Sequence, residues 1–207
     1  GAPPHRYTMQ DAKQLGVTRK DVHDFQNYEP FMEAMREIPH TCSEAELLIH
    51  CVCARAIVQK YRAAAEPVTN FWKLLGELLV YSLLDGNEFE YKCLKFGKDW
   101  VRLPNGMFLR YPELSSGEDG MSYRTLDGHA RIYGGLFVEN LVQALARVII
   151  ADQMLAIHRA GYRIVTMTHD EIVVVCPAEQ AEQCKADMTR IMSTPPEWAP
   201  TLPLSVK

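Results

Sequence analysis

The sequence predicts an α+β chain, and three patterns carry that expectation. Two strand-like runs, Arg163 to Thr168 and Ile172 to Cys176, flank a short polar turn and read as a β-hairpin. Just before them, Leu141, Val142, Leu145, Val148, Ile149 and Leu155 repeat at helical spacing, which predicts one long helix from Tyr133 to about Ala160, ended by Gly161. The first eighty or so residues are helical in pattern, and strand-like stretches begin only at Glu88. Segregated helices and strands predict a small antiparallel sheet carrying the 163–176 hairpin, with helices covering one face.

In chain order, residues 7–37 read as short helices of mixed charge. Ser43-x-x-Glu46 is a capping box that opens a helix to about Ala65, with Leu47, Leu48, Cys51, Val52, Val58 and Tyr61 on its apolar face. Pro67 is expected to end it, and a second helix runs from about Val68 to Leu84, stopping at Asp85-Gly86-Asn87. Residues 88–111 turn to strands, with Asn105-Gly106 suited to a type I′ turn. Residues 114–129 are rich in Gly and Ser and read as a surface loop. Both faces of the 163–176 hairpin are apolar, so it is expected to be largely buried. After Pro177 a last helix covers Ala178 to Met192. The expected division is a helical segment, 1–86, and a mixed segment, 87–207.

At 207 residues and 47% hydrophobic, the chain can bury a core. No run of about 18 apolar residues is present, so no transmembrane helix and no membrane partner are expected. The opening Gly1-Ala-Pro-Pro-His-Arg6 lacks the basic and apolar regions of a signal peptide. Of the six cysteines, Cys42, Cys51, Cys53, Cys93, Cys176 and Cys184, most lie in apolar stretches. Cys51-Val-Cys53 is too close for a structural zinc pair, so core thiols in a reducing, cytoplasmic compartment are expected. Net charge is −4, no nucleic-acid signature in itself. Residues 91–147 carry eight Lys and Arg against six Asp and Glu, so a basic DNA track there would be local or completed by another chain.

His169-Asp170-Glu171 puts a carboxylate at the hairpin turn. Asp170 is suited to Mg²⁺, which takes carboxylate oxygens and leaves positions for substrate phosphates. Taken alone, the tripeptide favours a plainer reading, because Asp and His are ordinary turn residues. A two-metal site needs more than one carboxylate, and Glu171 projects opposite to Asp170 unless the turn bends. On the long helix, Glu139, Gln143 and Arg147 recur every four residues on one face. A solvated face is the usual explanation of such a stripe. The functional alternative is contact with a primer–template, where Gln143 can donate to and accept from the minor groove without selecting a base pair.

The ordered set Val101-Arg-Leu-Pro-Asn-Gly106 to Tyr111-Pro112, Arg131-Ile-Tyr133-Gly134-Gly135 through Glu139-Asn140 and Gln143 to Arg147, then His169-Asp170-Glu171, resembles the C-terminal part of family A (polymerase I-type) DNA polymerases, nearest the phage branch. The resemblance runs from about Ala56 to the C-terminus. It implies a palm fold for 87–207 and a fingers-derived origin for 1–86. The tripeptide is then motif C, with Asp170 a ligand of the catalytic Mg²⁺ ions and His169 and Glu171 flanking the primer 3′ end. Gln143, Asn140, Arg147, Arg131 and Tyr133 become DNA-contacting residues, with Glu139 standing where many bacterial members carry asparagine. Met107 stands where the family's "Leu-Pro-Ser-Gly-Arg" hairpin has arginine.

Two family motifs are missing. Motif A, "Asp-Tyr-Ser-x-Ile-Glu", supplies a second aspartate, and motif B supplies an arginine and a lysine for the triphosphate; both precede motif C, so the chain is expected to begin just after motif B. The resemblance therefore implies a C-terminal subunit or fragment of a DNA-directed DNA polymerase, acting on primer–template DNA and deoxynucleoside triphosphates. A complementary chain would carry motifs A and B, without which this chain is inactive. The alternatives are a non-catalytic DNA-binding or assembly module with the same fold, and a metal-dependent phosphohydrolase using Asp152 or Glu139 as a second carboxylate.

Overall fold

The computed structural model describes residues 6–26 and 43–206. They form a mixed α and β structure in which every paired strand is antiparallel. Two compact units divide the chain, residues 1–70 and 71–207.

The first unit holds α1 (Met9–Leu15), α2 (Arg19–Gln26) and α3 (Glu44–Ala64). Each helix opens on a hydroxyl followed three residues later by a carboxylate: Thr8 with Asp11, Thr18 with Asp21, Ser43 with Glu46. The carboxylate returns a bond to the cap's backbone N–H, so two otherwise unpaired donors are satisfied at each start. These bonds hold the Asp21 and Glu46 carboxyls below their usual range. The expected face of α3 is only half right. Leu48 and Val52 are buried against Val17, Val22 and Phe25, but Val58 and Tyr61 are 45% and 59% exposed. Among the described residues, the covering side chains meet the first half of the helix. The remainder of the short helices expected over 7–37, and Cys42, lie outside the described residues.

Pro67 does not terminate α3. It sits in the first turn of α4 (Glu66–Leu78), where a missing N–H costs nothing. The helix continues as a π-helical stretch, Leu79–Leu84, and ends at Asp85 and Gly86. The unit boundary falls inside α4, where the sequence pattern suggests 86/87. Leu75, Leu79 and Leu83 are essentially inaccessible because they share a core with Phe96, Val101 and Phe137.

In the second unit, β1 (Phe89–Tyr91), β2 (Leu94–Gly97), β3 (Trp100–Arg102) and β4 (Phe108–Arg110) form one sheet in sequential order. Phe89, Phe96, Val101 and Leu109 lie opposite one another and face the core. The β3–β4 connection is not a type I′ turn. Gly106 N–H donates to the Leu103 carbonyl and Gly106 alone takes positive φ, 85°. Pro104 fixes φ near −65°, so it must occupy the first central position with Asn105 second.

Residues 114–129 are not a loop. They belong to a three-stranded sheet, β5 (Ser115–Gly117), β6 (Gly120–Thr125) and β7 (Gly128–Ile132). The glycines and acidic residues fall at the tight turns, while Met121 and Tyr123 pack on the core. Tyr111 is buried there, edge-on to Tyr123 and Phe137, and burial pushes its hydroxyl up to about 12.

The long helix, α5, runs Gly134–Arg159, with Gly161 beyond its end at φ 92°. Its start crosses α4 glycine to glycine: a Cβ on Gly134 would lie 2.1 Å from the Trp72 carbonyl oxygen and 3.1 Å from Gly76 Cα. Its buried stripe also departs from expectation. Leu141 and Val148 are buried, but Val142 and Leu155 are 56% and 50% exposed. Phe137, Leu141 and Val148 face the sheet core, whereas Ile150 and Ile157 join a second core beneath the hairpin. Val148 and Ile150 lie about 200° apart around a helix, so α5 serves two cores on nearly opposite faces. Among the described residues it alone is long and apolar enough to span a membrane. Phe137, Leu141, Val148, Ile150 and Ile157 fill these two protein cores, Val142 and Leu155 stay exposed, and Glu139, Arg147 and Asp152 interrupt its surface.

The chain ends with the hairpin β8 (Arg163–Thr168) and β9 (Glu171–Val175), a short 3₁₀ turn Ala178–Gln180, and α6 (Ala181–Ser193).

Candidate functional site

Thr168 pairs with Glu171, so only His169 and Asp170 form the loop between β8 and β9. Two-residue connections demand positive φ, and His169 supplies it at 53°. Histidine tolerates this conformation better than most residues, at a cost of about 1–2 kcal/mol. The effect is to hold Asp170 at the apex of two rigid strands. His169, Asp170 and Glu171 are all exposed, and among the described residues no hydrogen bond or ion pair engages their side chains.

The hairpin is not largely buried. Its inner face, Ile164, Met167, Ile172 and Val174, packs on Ile150, Ile157, Met188 and Ile191 of α5 and α6. A bulge at Val165 shifts the register between Ile164 and Thr166, which keeps Ile164 and Met167 on one side despite their spacing of three. Val165 and Val175 are each 58% exposed and Val173 is 38% exposed. The outer apolar residues therefore have no cover among the described residues.

On α5, Glu139, Gln143 and Arg147 are exposed on one face, and Gln143 Nε2 donates to Glu139 Oε1 at 3.1 Å. Arg147 reaches across to β8, its guanidinium 2.8 Å from Met167 Sδ. The same helical row continues through Ile150, Met154 and Ile157 beneath the hairpin. The polar stripe therefore leads, over about 12 Å of helix, to the strand that ends at Thr168, just before His169. Met167 is the member that sequence patterning misses. Only the bulge puts it on the inner face beside Arg147, and a bulge leaves no signature in the sequence.

The remaining candidates stand elsewhere. Asn140 is turned inward, its amide donating to the Tyr111 hydroxyl at 3.2 Å. Arg131, on β7, is exposed and paired with Asp119 at 3.2 Å. Tyr133 precedes α5 and is 64% exposed. Asp152 lines a groove with Arg190 and Thr194.

Among the described residues, no group of three His, Cys, Asp or Glu side chains converges on one point. Mg²⁺ requires near-octahedral oxygen coordination, which one carboxylate at a turn does not complete. The described residues thus do not by themselves make a metal centre.

Behind the hairpin, Tyr162 and Gln183 donate to Asp187 Oδ2 at 2.8 and 3.0 Å, and Arg190 donates to Oδ1 at 3.0 Å. These bonds hold the Asp187 carboxyl down to about 2 and push the Tyr162 hydroxyl up to about 12.

The chain is 33% identical, over 168 residues, to a protein named DNA polymerase from Bacillus phage SP02. The match takes in 72% of this chain and 25% of that protein, so the chain spans about a quarter of the length of the curated relative it matches. No family model matches the chain, and no solved structure matches it.

Proposed function

We propose that this chain is the C-terminal portion of a family A, phage-type DNA-directed DNA polymerase and contributes the Asp170 carboxylate to template-directed nucleotidyl transfer. Residues 87–207 are the palm and the hairpin is motif C. The observation that carries the reading is the exposed, otherwise unengaged carboxylate at a two-residue hairpin apex, in a chain similar to a phage protein named DNA polymerase. The stripe from Gln143 to Arg147 supports it, because an exposed donor–acceptor row ending beside the hairpin suits a primer–template whose 3′ end meets Asp170.

In this reading Asp170 is one Mg²⁺ ligand, and a complementary polypeptide carrying motifs A and B supplies the rest together with the groups that bind the triphosphate. The uncovered valines of the hairpin support a missing neighbour, since contiguous exposed apolar surface marks a site of association. Asp170 would hold the Mg²⁺ ion together with carboxylates of the complementary polypeptide, and the metal would supply electrostatic stabilisation of the charge that develops during nucleotidyl transfer.

The test is Mg²⁺-dependent primer extension with the chain alone, and with the chain plus the polypeptide encoded beside it. Synthesis in the mixture and none from the chain alone is expected. Robust synthesis by the chain alone would rule out a shared site. The second reading, a non-catalytic DNA-binding module, draws on the lack of a converged ligand group among the described residues. It predicts DNA binding with no synthesis in either tube.

A further inference from the structure

The outward face of the four-stranded sheet has a composition that the hairpin chemistry does not use. Alternation along the strands sends Phe96, Val101 and Leu109 to the core and Lys95, Gly97, Trp100, Arg102, Phe108 and Arg110 the other way. The register sets Lys95 opposite Arg102, Arg102 opposite Phe108, and Trp100 opposite Arg110. Two aromatic rings and three cations thus alternate over one surface.

The rings are held in place. A Cβ on Gly97 would lie 2.3 Å from Trp100 Cζ2, so only glycine lets the indole lie across β2. Phe108 meets Trp100 edge-on with centroids 5.4 Å apart, and the Arg110 guanidinium sits 5.1 Å from the Phe108 centroid. Phe108 nonetheless stays 43% exposed. Glu88 and Glu90 approach Lys95 at 3.0 and 4.0 Å, and Asp99 sits in the β2–β3 turn, while Arg102 and Arg110 have no ion pair among the described residues.

We infer that this face is a binding surface for a single-stranded polynucleotide. Unpaired bases present π faces that stack on aromatic side chains, and arginines beside the rings take the phosphates. A duplex hides its base faces and has less to gain from exposed rings. Charge decides the occupant: among the described residues, β3 and β4 present two arginines without an acidic partner, in a chain whose net charge is −4. This inference uses none of the hairpin residues, and its test reads binding rather than synthesis.

The experiment is fluorescence anisotropy of the whole chain with labelled oligothymidylate and oligouridylate, titrated between about 50 and 200 mM salt. Wild type is expected to bind both and to prefer them to duplex of equal length. Arg102→Ala with Arg110→Ala should weaken binding at least about tenfold and lower the salt slope by about 1.4, at roughly 0.7 per phosphate contact. Phe108→Ala should weaken it about tenfold with the slope unchanged, because stacking releases no counterions. An unchanged thermal melt verifies the fold of each variant. Binding that survives both the arginine and the phenylalanine substitutions overturns the inference. So does a wild-type chain that prefers duplex, or one that binds an acidic peptide and no oligonucleotide.

Discussion

Phe96 and Val101 in the four-stranded sheet are completely buried, whereas Val173 and Val175 in β9 are 38% and 58% exposed. Both pairs belong to short antiparallel strands packed on one side by α5. They differ in what the other face carries. The four-stranded sheet turns cations and aromatics outward and is complete as it stands. The hairpin turns valines outward and has two strands, too few to be stable without its helical support. An apolar residue in a strand thus indicates a surface that needs a partner, and it does not say whether that partner lies in the same chain.

That contrast can be broken at several points. The largest effect belongs to the closed sheet. Phe96→Ala removes a fully buried ring that touches Phe89 and Phe137, and should cost about 3–5 kcal/mol in urea denaturation. A cost under about 1 kcal/mol would mean that this core is looser than its packing.

Sequence pattern locates much of this organisation. Ser43 and Glu46 cap α3 as their spacing demands, α5 ends before Gly161, and the hairpin turns at His169 and Asp170. Each feature depends on local chemistry. What escapes depends on distant contacts. Val142 and Leu155 fit an apolar period, yet Val142 falls between the two faces that α5 gives to its cores, and Leu155, a heptad past Val148, lies beyond the residues of the sheet core. Residues 114–129 read as a loop because their glycines and acids are concentrated at the turns, although Met121 and Tyr123 tie the strands to the core. For the site, residue type and spacing single out Asp170, Gln143 and Arg147. They do not reveal the bulge that sets Met167 beside Arg147, or the inward turn of Asn140 toward Tyr111.

Gly134→Ala should have the next largest effect, about 1–3 kcal/mol, because its methyl would meet the Trp72 carbonyl at the α4–α5 crossing. A melt within experimental error of wild type would show that the crossing can open without penalty.

A smaller, pH-dependent effect is expected behind the hairpin. Asp187 is held down to about 2 from an ordinary 3.8, so its bonds stabilise the fold above about pH 4. That contribution should fade as pH falls toward 2, where the folded chain at last takes up the proton. Urea midpoints of wild type and Asp187→Asn should differ at pH 6 and converge near pH 2; a constant difference would contradict the assignment.

The smallest effect sharpens the comparison most. Val173→Thr with Val175→Thr should change the stability of this chain by less than about 0.5 kcal/mol per site, since both are solvent-exposed. In the proposed assembly the same pair should weaken association with the complementary polypeptide about tenfold, read by titrating one component in primer extension. Unaltered association would leave the hairpin's outer face without a role.

The most direct measurement uses the proposed assembly with Asp170→Asn in place of the wild-type chain, recording the initial rate of primer extension and the affinity for primer–template together. A shared metal site predicts a rate lower by about a thousandfold or more with affinity nearly unchanged, as for an interaction made in the transition state. A rate within a few-fold of wild type would contradict the claim that this carboxylate serves the chemistry.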